Sequence, residues 1–120
     1  MSVALKIKAV EDYITLLNEH SMEMLETLYD KDAIVEDPYG SEGHVGIDAI
    51  KKFYTRAFEA KITAELTGQV RVAGDSAAFP FKVSFNGMLM DIIDVFQFNE
   101  ANKVVSMKAY WSEANITTPA

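Results

Sequence analysis

The stretch SAAFPFKVSFNGMLMDIIDVFQF, residues 76–98, predicts the central part of a β-sheet. Its first half alternates apolar residues with smaller or more polar ones, which is the pattern of a strand that buries one face. The apolar series consists of Ala77, Phe79, Phe81, Val83 and Phe85. Asn86-Gly87 is a residue pair that two-residue hairpins prefer, and a second apolar segment follows it. The stretch therefore indicates two long antiparallel strands joined by a tight turn.

Further strand patterns flank this hairpin. Residues 61–74 (KITAELTGQVRVAG) fit one or two strands that bend at Gly68, and residues 103–116 (KVVSMKAYWSEANI) alternate again. In the last segment we expect one face to carry Val105, Met107, Ala109 and Trp111, and the other to carry Val104, Ser106, Lys108 and Tyr110. The second half of the chain is thus predicted to be an antiparallel meander.

The first half of the chain has a helical period instead. Apolar residues recur every three or four positions at Val3, Ile7, Val10, Ile14 and Leu17, with Lys6, Lys8, Glu11 and Asp12 expected off this stripe. Ser21 can cap a short second helix through Leu28, and residues 47–60 form a third amphipathic pattern. Residues 41–46 are expected to be a loop. Helices followed by an antiparallel sheet indicate a single α+β domain over residues 1–120.

Composition excludes several classes of function. The chain has 49% hydrophobic residues and a net charge of −7, which argues for a globular protein and against nucleic acid or an anionic membrane as partner. It has no cysteine, and its two histidines begin no ligand motif, so we expect no metal site. The sequence shows no leader pattern and no apolar run of about 20 residues. We therefore expect a soluble, cytoplasmic protein.

A carboxylate stands at the end of a strand-like segment in AIVEDPYG, residues 33–40. Strand alternation gives Asp37 the same side as Ala33 and Val35, so its carboxylate is expected to point toward the core. Pro38 restricts Asp37 to extended backbone. Asp37 is either an ordinary turn residue, since Asp-Pro near Gly is common turn chemistry, or an acid held toward a cavity.

A second acid lies on the most hydrophobic strand face of the sequence. Asp94 has the parity of four apolar neighbours, Met90, Ile92, Phe96 and Phe98, and no lysine or arginine shares that face. An unpaired carboxylate there would cost several kcal/mol, so we expect a protonated carboxylic acid, which is a hydrogen-bond donor. The alternative is a buried acid satisfied by a backbone or hydroxyl group.

Tyr13 lies within the apolar stripe of the first helix, either as plain core or as a phenol aimed into a cavity. Tyr29 and Tyr54 are expected on further inward helix faces. Asp37 as a base, with neutral Asp94 and Tyr13 as donors, would suit proton abstraction beside a carbonyl. The donors would stabilise the resulting oxyanion, and no cofactor would be required.

These motifs closely resemble the ketosteroid isomerases, members of the superfamily that has the cone-shaped fold of nuclear transport factor 2 (NTF2). VEDPYG resembles the general-base motif of that family, DIIDV its oxyanion-hole acid and AYWSEAN its last strand. Tyr13 precedes Asp37 by the family spacing of its catalytic tyrosine. Protonated acids of this kind are described for that family. The resemblance implies a curved, mostly antiparallel sheet wrapped around three N-terminal helices.

The resemblance also implies a function and a set of site residues. The reaction would be isomerisation of 3-oxo-Δ5-steroids to 3-oxo-Δ4-steroids, with Asp37 as the base and Tyr13 and protonated Asp94 as the oxyanion hole. Tyr54 would hydrogen-bond Tyr13, with Tyr29 behind it. The hydrophobic substrate would contact Phe53, Phe79, Phe81, Met107 and Trp111. A homodimer would form through an outer sheet face that carries Ile93, Val95, Val104 and Tyr110.

Other functions on the same fold remain as alternatives. A dehydratase or polyketide cyclase is one, although dehydratases would want a His–Asp pair and both His20 and His44 fall at predicted loop or helix ends. An epoxide hydrolase would want an Asp–Arg–Asp cluster, and neither Arg56 nor Arg71 has a clear claim to the cavity. A non-catalytic module that binds apolar ligands would have a cavity without polar groups aimed into it.

Overall fold

The computed structural model describes residues 2–118 and contains three α-helices and one eight-stranded sheet in that range. The helices are α1 (Val3–Glu19), α2 (Met22–Leu28) and α3 (Ile47–Glu59). The strands are β1 (Tyr29–Glu36), β2 (His44–Val45), β3 (Thr63–Leu66), β4 (Arg71–Ala73), β5 (Ser76–Phe85), β6 (Met88–Phe98), β7 (Val104–Tyr110) and β8 (Ile116–Thr117). The α+β class, with three helices and a mostly antiparallel sheet, is the one expected from the sequence.

The sheet is open and mostly antiparallel. Its main path runs β2-β1-β7-β6-β5-β3, while β4 also pairs with β5 and β8 with β6. The pair β1–β7 is parallel, and the other pairs are antiparallel. Two short strands were not predicted. β2 falls within residues that were expected to be a loop, and β8 is a separate strand that begins at Ile116, at the end of the segment that was expected to be the last strand.

The first two helices begin at serine residues that cap them. Ser2 accepts a hydrogen bond from the backbone N–H of Leu5, and Ser21 accepts one from Met24. A cap satisfies backbone donors that have no partner in the first helical turn. Lys6 differs from expectation because it is buried, with its ammonium 5.0 Å from the centre of the Phe98 ring. A long side chain can lie along apolar surface in this way.

The β5–β6 hairpin is the longest pairing in the sheet and carries the predicted turn. Asn86 and Gly87 both have positive φ angles, 49° and 76°, as a two-residue turn between twisted strands requires. The register sets Phe79 opposite Asp94 and Phe81 opposite Ile92. The side chain of Asp94 is therefore carried into the apolar interior, as strand parity predicted.

A β-bulge in the pairing of β6 with β7 changes which residues lie on the outer face of the sheet. Gln97 pairs with Ser106 but Phe98 pairs with Val104, so one residue of β7 has no counterpart and the alternation shifts there. Val104 is consequently fully buried and belongs to the core. The prediction that Val104 lies on the outer face with Tyr110 was wrong for this reason.

Tyr29 also differs from expectation. It ends α2 as the C-cap and opens β1, so it occupies a strand start and not a helix face. Its side chain is nevertheless 2% exposed and points into the core. Among residues 2–118, no helix is long and apolar enough to cross a membrane.

Candidate active site

Asp37 follows directly after β1, beyond the buried residues Ala33 and Val35. Its carboxylate accepts a hydrogen bond from the indole N–H of Trp111, with Nε1···Oδ1 at 2.5 Å. The next segment is fixed to β7 because the backbone N–H of Tyr39 donates to the carbonyl of Ala109 at 2.7 Å. One carboxylate oxygen is thus held by Trp111 on the wall of the central cavity.

The surroundings of Asp37 shift its pKa in opposite directions. Burial raises the pKa of Asp37, whereas the hydrogen bond from Trp111 and the positive charge of His44 lower it. Burial disfavours the charged form of an acid, and donors or cations favour it. The carboxylate is therefore a stronger base than an exposed aspartate, while Trp111 keeps it oriented.

Three tyrosine hydroxyls form a continuous chain beside this carboxylate. The hydroxyls of Tyr13 and Tyr54 are 2.9 Å apart, and those of Tyr54 and Tyr29 are 2.7 Å apart. The three side chains come from α1, α3 and the start of β1, and all are at most 3% exposed. The structure therefore contains the Tyr13–Tyr54–Tyr29 contacts that the resemblance implies.

All three phenols are kept neutral by their surroundings. Burial is the largest cause that raises the pKa of Tyr13, and the nearby carboxyl group of Asp94 raises it further. Burial also raises the pKa values of Tyr29 and Tyr54 well above the usual range. A neutral phenol can donate its hydrogen, so Tyr13 can serve as a donor to a ligand atom in the cavity.

Asp94 is the most unusual polar group of the described chain. It is 1% exposed, and neither carboxyl oxygen has a hydrogen-bond partner among residues 2–118. Burial raises the pKa of Asp94 well above its usual range, and the charge of Asp37 raises it further. The hydroxyl of Tyr13 acts in the opposite direction, although it is not within hydrogen-bond geometry. Burial of this kind favours the neutral, protonated form of a carboxylic acid.

A cavity of about 300 Å³ lies between the helices and the concave side of the sheet. Its polar lining consists of Arg56 and four further residues, Tyr13, Asp37, Tyr54 and Trp111. Its apolar wall consists of Leu17, Phe53, Ala57, Ala60, Ile62, Phe81, Val83, Phe85, Met90 and Ile92. Such a volume is at the lower end of the roughly 300–1,000 Å³ of small-molecule sites.

Two of the predicted substrate contacts lie elsewhere. Phe79 and Met107 are fully buried and do not line the cavity, whereas Phe53, Phe81 and Trp111 do. Phe79 packs edge-on against the ring of Tyr13, with 6.0 Å between centroids, and thus supports the wall from behind. Asp94 likewise lies behind the wall and not on it.

The structure brings two basic residues to the site that the sequence reasoning set aside. Arg56 lines the cavity. His44 in β2 pairs with Val35 in β1, and its ring stacks on Phe53 with 4.6 Å between ring centroids. The electrostatic interaction with His44 also lowers the pKa of Asp37. Helical spacing was an available signal for Arg56, because it lies three residues after Phe53 and four before Ala60.

The cationic clusters of the alternative functions are not formed by the described residues. The guanidinium of Arg56 has no ion pair in residues 2–118, so it makes no Asp–Arg–Asp cluster with Asp37 and Asp94. His44 does not line the cavity. Within the same residues, no group of three or more His, Asp or Glu side chains could hold a metal ion.

Comparison with known proteins identifies the fold and the family. The fold is that of the NTF2-like α+β proteins. Polar side chains line part of its apolar cavity. The SnoaL-like domain model matches residues 10–107, and the chain belongs to this SnoaL-like family. The expected membership of the NTF2-like superfamily is thereby confirmed.

Two similar proteins illustrate the range of the fold. A steroid Delta-isomerase from Nocardioides simplex is 34% identical over 117 residues, which cover 93% of this chain and 94% of that protein. The epoxide hydrolase/cyclase-like enzyme SalBIII, studied in pyran ring formation in the polyether salinomycin, superposes with a TM-score of 0.89. It is 22% identical over 95% of each chain, a likeness that concerns the fold alone.

Proposed function

We propose that this protein isomerises 3-oxo-Δ5-steroids to 3-oxo-Δ4-steroids. The observation that carries the proposal is the position of Asp37 and Tyr13, a base and a phenol donor, on the wall of one apolar cavity. The similarity to a curated steroid Delta-isomerase supports the substrate class. Polyketide cyclisation has only the likeness of fold in its favour, so it is not the function that the site supports best.

The proposed reaction is a proton transfer in two balanced steps. The carboxylate of Asp37 takes a proton from C4, and the electrons of that C–H bond move into a dienolate whose negative charge rests on the C3 oxygen. Protonated Asp37 then returns the proton to C6, and the double bond moves from C5=C6 to C4=C5. No electron is gained or lost, so the steps require no cofactor.

The donors in this proposal stabilise the oxygen that becomes negative. Tyr13 donates to the C3 oxygen, and Tyr54 donates to Tyr13 while it accepts from Tyr29, a direction of donation compatible with both O···O distances. Donors aimed at a developing oxyanion in a water-poor site are worth several kcal/mol. The chain of hydroxyls thus supports a positioned donor.

Asp94 is proposed as the second donor. Its support is burial without any hydrogen-bond partner among the described residues, beside Tyr13. Buried polar groups normally have partners, and a neutral carboxylic acid has an O–H to give. Because Asp94 lies beneath the wall, its carboxyl has to turn toward the ligand oxygen next to Tyr13. The negative charge of the dienolate favours that rotation.

Ultraviolet absorbance tests the function directly, because the conjugated enone product absorbs and the Δ5 substrate does not. We expect the wild-type protein to produce this signal from a 3-oxo-Δ5-steroid. Asp37→Asn should lower kcat by at least ~10²–10⁴, the contribution of a positioned base. Affinity for a planar phenolic steroid should persist or rise, since a neutral amide does not repel it.

Glu36→Gln is the matched control, because it removes one carboxylate from the other side of the same strand. It should leave turnover near that of the wild type. Absence of enone formation by the wild-type protein would show the proposed function to be wrong. Near-normal turnover by Asp37→Asn would instead remove Asp37 from the role of base.

A homodimer is proposed from the outer face of the sheet. Ile93 and Tyr110 lie opposite each other on β6 and β7 and are 50% and 46% exposed. Ile34 and Val45 form a second exposed apolar pair on β1 and β2. Contiguous exposed apolar area of this kind is typical of interfaces. Sedimentation should give twice 13.4 kDa, and Ile93→Lys should shift the protein toward the monomer.

A further inference from the structure

Among residues 2–118, Arg56 is the one positively charged residue that lines the cavity. It lies on the face of α3 that lines the cavity, together with Phe53, Tyr54, Ala57 and Ala60. The other polar groups of the wall are bonded to one another, as Trp111 is to Asp37 and Tyr54 is to Tyr13. The guanidinium of Arg56 has no hydrogen bond or ion pair with any residue in 2–118.

Exposure separates Arg56 from the phenols of the cavity. Arg56 lies only two residues after Tyr54, about 3 Å along the helix axis at ~1.5 Å per residue. Tyr54 is nevertheless 2% exposed and its hydroxyl contacts that of Tyr13, whereas Arg56 is exposed to solvent. A cation with five donors and no side-chain partner among residues 2–118 therefore lies where the apolar cavity meets water.

The chemistry of this arrangement points to an anionic group on the ligand. An apolar ligand gains nothing from a guanidinium, which has to remain hydrated. A carboxylate, in contrast, forms two parallel hydrogen bonds with arginine, and the partly apolar surroundings strengthen them. In a steroid, the C3 oxygen and the C17 substituent lie at opposite ends of the fused rings.

We propose that Arg56 makes the site selective for 3-oxo-Δ5-steroids that carry a carboxylate at the ring D end. This inference rests on the proposed isomerase function and adds the second recognition point of the same cavity. Tyr13 receives the ketone in the buried interior of the cavity, and Arg56 receives the carboxylate at its solvent-exposed side. Neutral steroids of the same shape also use Tyr13 and the apolar wall, but they gain no contact from Arg56.

A matched pair of substrates tests this selectivity. One is a 3-oxo-Δ5-steroid with a carboxylate on C17, and the other is its methyl ester, which has the same rings without the charge. We expect the wild-type protein to prefer the acid in kcat/KM. Arg56→Met keeps an unbranched side chain but removes the guanidinium, and it should lower kcat/KM for the acid by about tenfold or more, with the ester unchanged.

Two further variants sharpen the comparison. Arg56→Lys keeps the charge but not the paired donors and should retain only part of the preference. Lys52→Met removes one positive charge from the same helix at a residue that does not line the cavity, and it should leave both substrates unaffected. High salt should reduce the preference of the wild type for the acid, because screening weakens exposed charge pairs.

The outcomes separate this inference from the isomerase function. Equal use of acid and ester by the wild type, or an equal loss of both in Arg56→Met, would overturn the role of Arg56. If neither steroid were isomerised, the isomerase function would fail by itself. Dissociation constants for a phenolic steroid carboxylate and its methyl ester, measured with wild type and Arg56→Met, would then decide whether Arg56 reads the carboxylate.

Discussion

At the scale of single residues, burial determines which groups near the cavity carry charge. Tyr13, Tyr29, Tyr54 and Asp94 are all nearly inaccessible, and burial is the first cause of the raised pKa of each. Asp37 differs because Trp111 and His44 partly offset its burial. The same apolar surroundings thus act differently on two acids, which fits the proposed division into a base and a donor.

The hydroxyl of Tyr13 can be tested apart from its ring. Tyr13→Phe keeps the edge-on packing against Phe96, whose ring centroid is 5.0 Å away, but removes the donor. We expect kcat to fall by roughly 10²–10³, as for the loss of one oxyanion donor. The free energy of unfolding should change by only about 0.5–1.5 kcal/mol, for the hydrogen bond to Tyr54.

Tyr29→Phe provides the comparison, because it removes the far hydroxyl of the same chain and does not reach the cavity wall. It should affect kcat less than Tyr13→Phe does. Normal activity per folded molecule together with a collapsed melting temperature in Tyr13→Phe would show that Tyr13 is only a core residue. Steady-state kinetics and thermal unfolding of both variants give the answer.

Asp94 can be tested by two substitutions of similar size. Asp94→Asn replaces an O–H donor by an N–H donor, whereas Asp94→Leu removes the donor. We expect Asp94→Leu to lose about 2.7–4 kcal/mol of transition-state stabilisation, and Asp94→Asn to lose less. An ionised Asp94 would repel the oxyanion, so higher kcat/KM for Leu than for Asn at neutral pH would contradict the donor role.

Sequence predicted some of these residues and missed others for physical reasons. A strand side chain has only two directions, so parity was enough to predict that Asp94 is buried. Lys6 was misjudged because its long chain lies against Phe98 despite its position beside the apolar stripe. Arg56 was set aside although it lies three residues after Phe53, because helical spacing alone does not show which part of the surface of α3 borders the cavity.

At the scale of elements, the site depends on short segments that bring side chains together. β2 contains only two residues, but its pairing with β1 sets His44 opposite Val35, two residues before Asp37. α3 follows immediately and packs Phe53 against the ring of His44. Two residues give no detectable period, which is why the sequence indicated a loop here.

The contribution of β2 can be measured through the base. His44→Phe keeps an aromatic ring on Phe53 and removes the positive charge that lowers the pKa of Asp37. Without that charge the carboxylate holds its proton more strongly, so the acidic limb of kcat/KM should move to higher pH. The alkaline plateau should stay near the wild-type value, because the base itself is unchanged.

His20→Gln is the control for this change. His20 is the other histidine of the chain, and it contacts Phe58 and the carbonyl of Ile62, away from Asp37. It should leave the acidic limb in place. A limb that stayed fixed in His44→Phe, or moved to lower pH, would contradict an electrostatic action of His44 on Asp37.

At the scale of the whole molecule, the curved sheet decides which side chains reach the cavity. Phe79 and Phe81 have the same parity on β5, but only Phe81 lines the wall while Phe79 packs behind it. Strand alternation identifies which residues face inward. The curvature of the sheet and the positions of the helices then determine which of these residues line the cavity. The fold class was therefore accessible from sequence, whereas the lining of the cavity was accessible only in part.

The buried acid also has a consequence for the stability of the entire chain. The pKa of Asp94 is raised in the folded state, so the unfolded state ionises first as pH rises above about 3.9. Stability is thus present in full at lower pH and is lost progressively until pH passes the folded pKa. We expect the wild type to lose up to about 1.4 kcal/mol per pH unit relative to Asp94→Asn in this window.

Urea unfolding of the two proteins from pH 4 to pH 7 measures this difference. Asp91→Asn serves as the control, because Asp91 is exposed on the other face of the same strand. Its difference from wild type should vary much less with pH. A constant difference between wild type and Asp94→Asn would mean that Asp94 ionises equally in the folded and unfolded states.

Trp111 gives the molecule a built-in optical reporter. It is the single tryptophan of the sequence, it lines the cavity, and its N–H is bonded to the carboxylate of Asp37. All indole fluorescence therefore originates within contact distance of Asp37, and protonation of this carboxylate changes the group that accepts the hydrogen bond of the indole N–H. We therefore expect the emission spectrum of Trp111 to change when Asp37 ionises and when a ligand enters the cavity. Neither measurement requires a label or turnover.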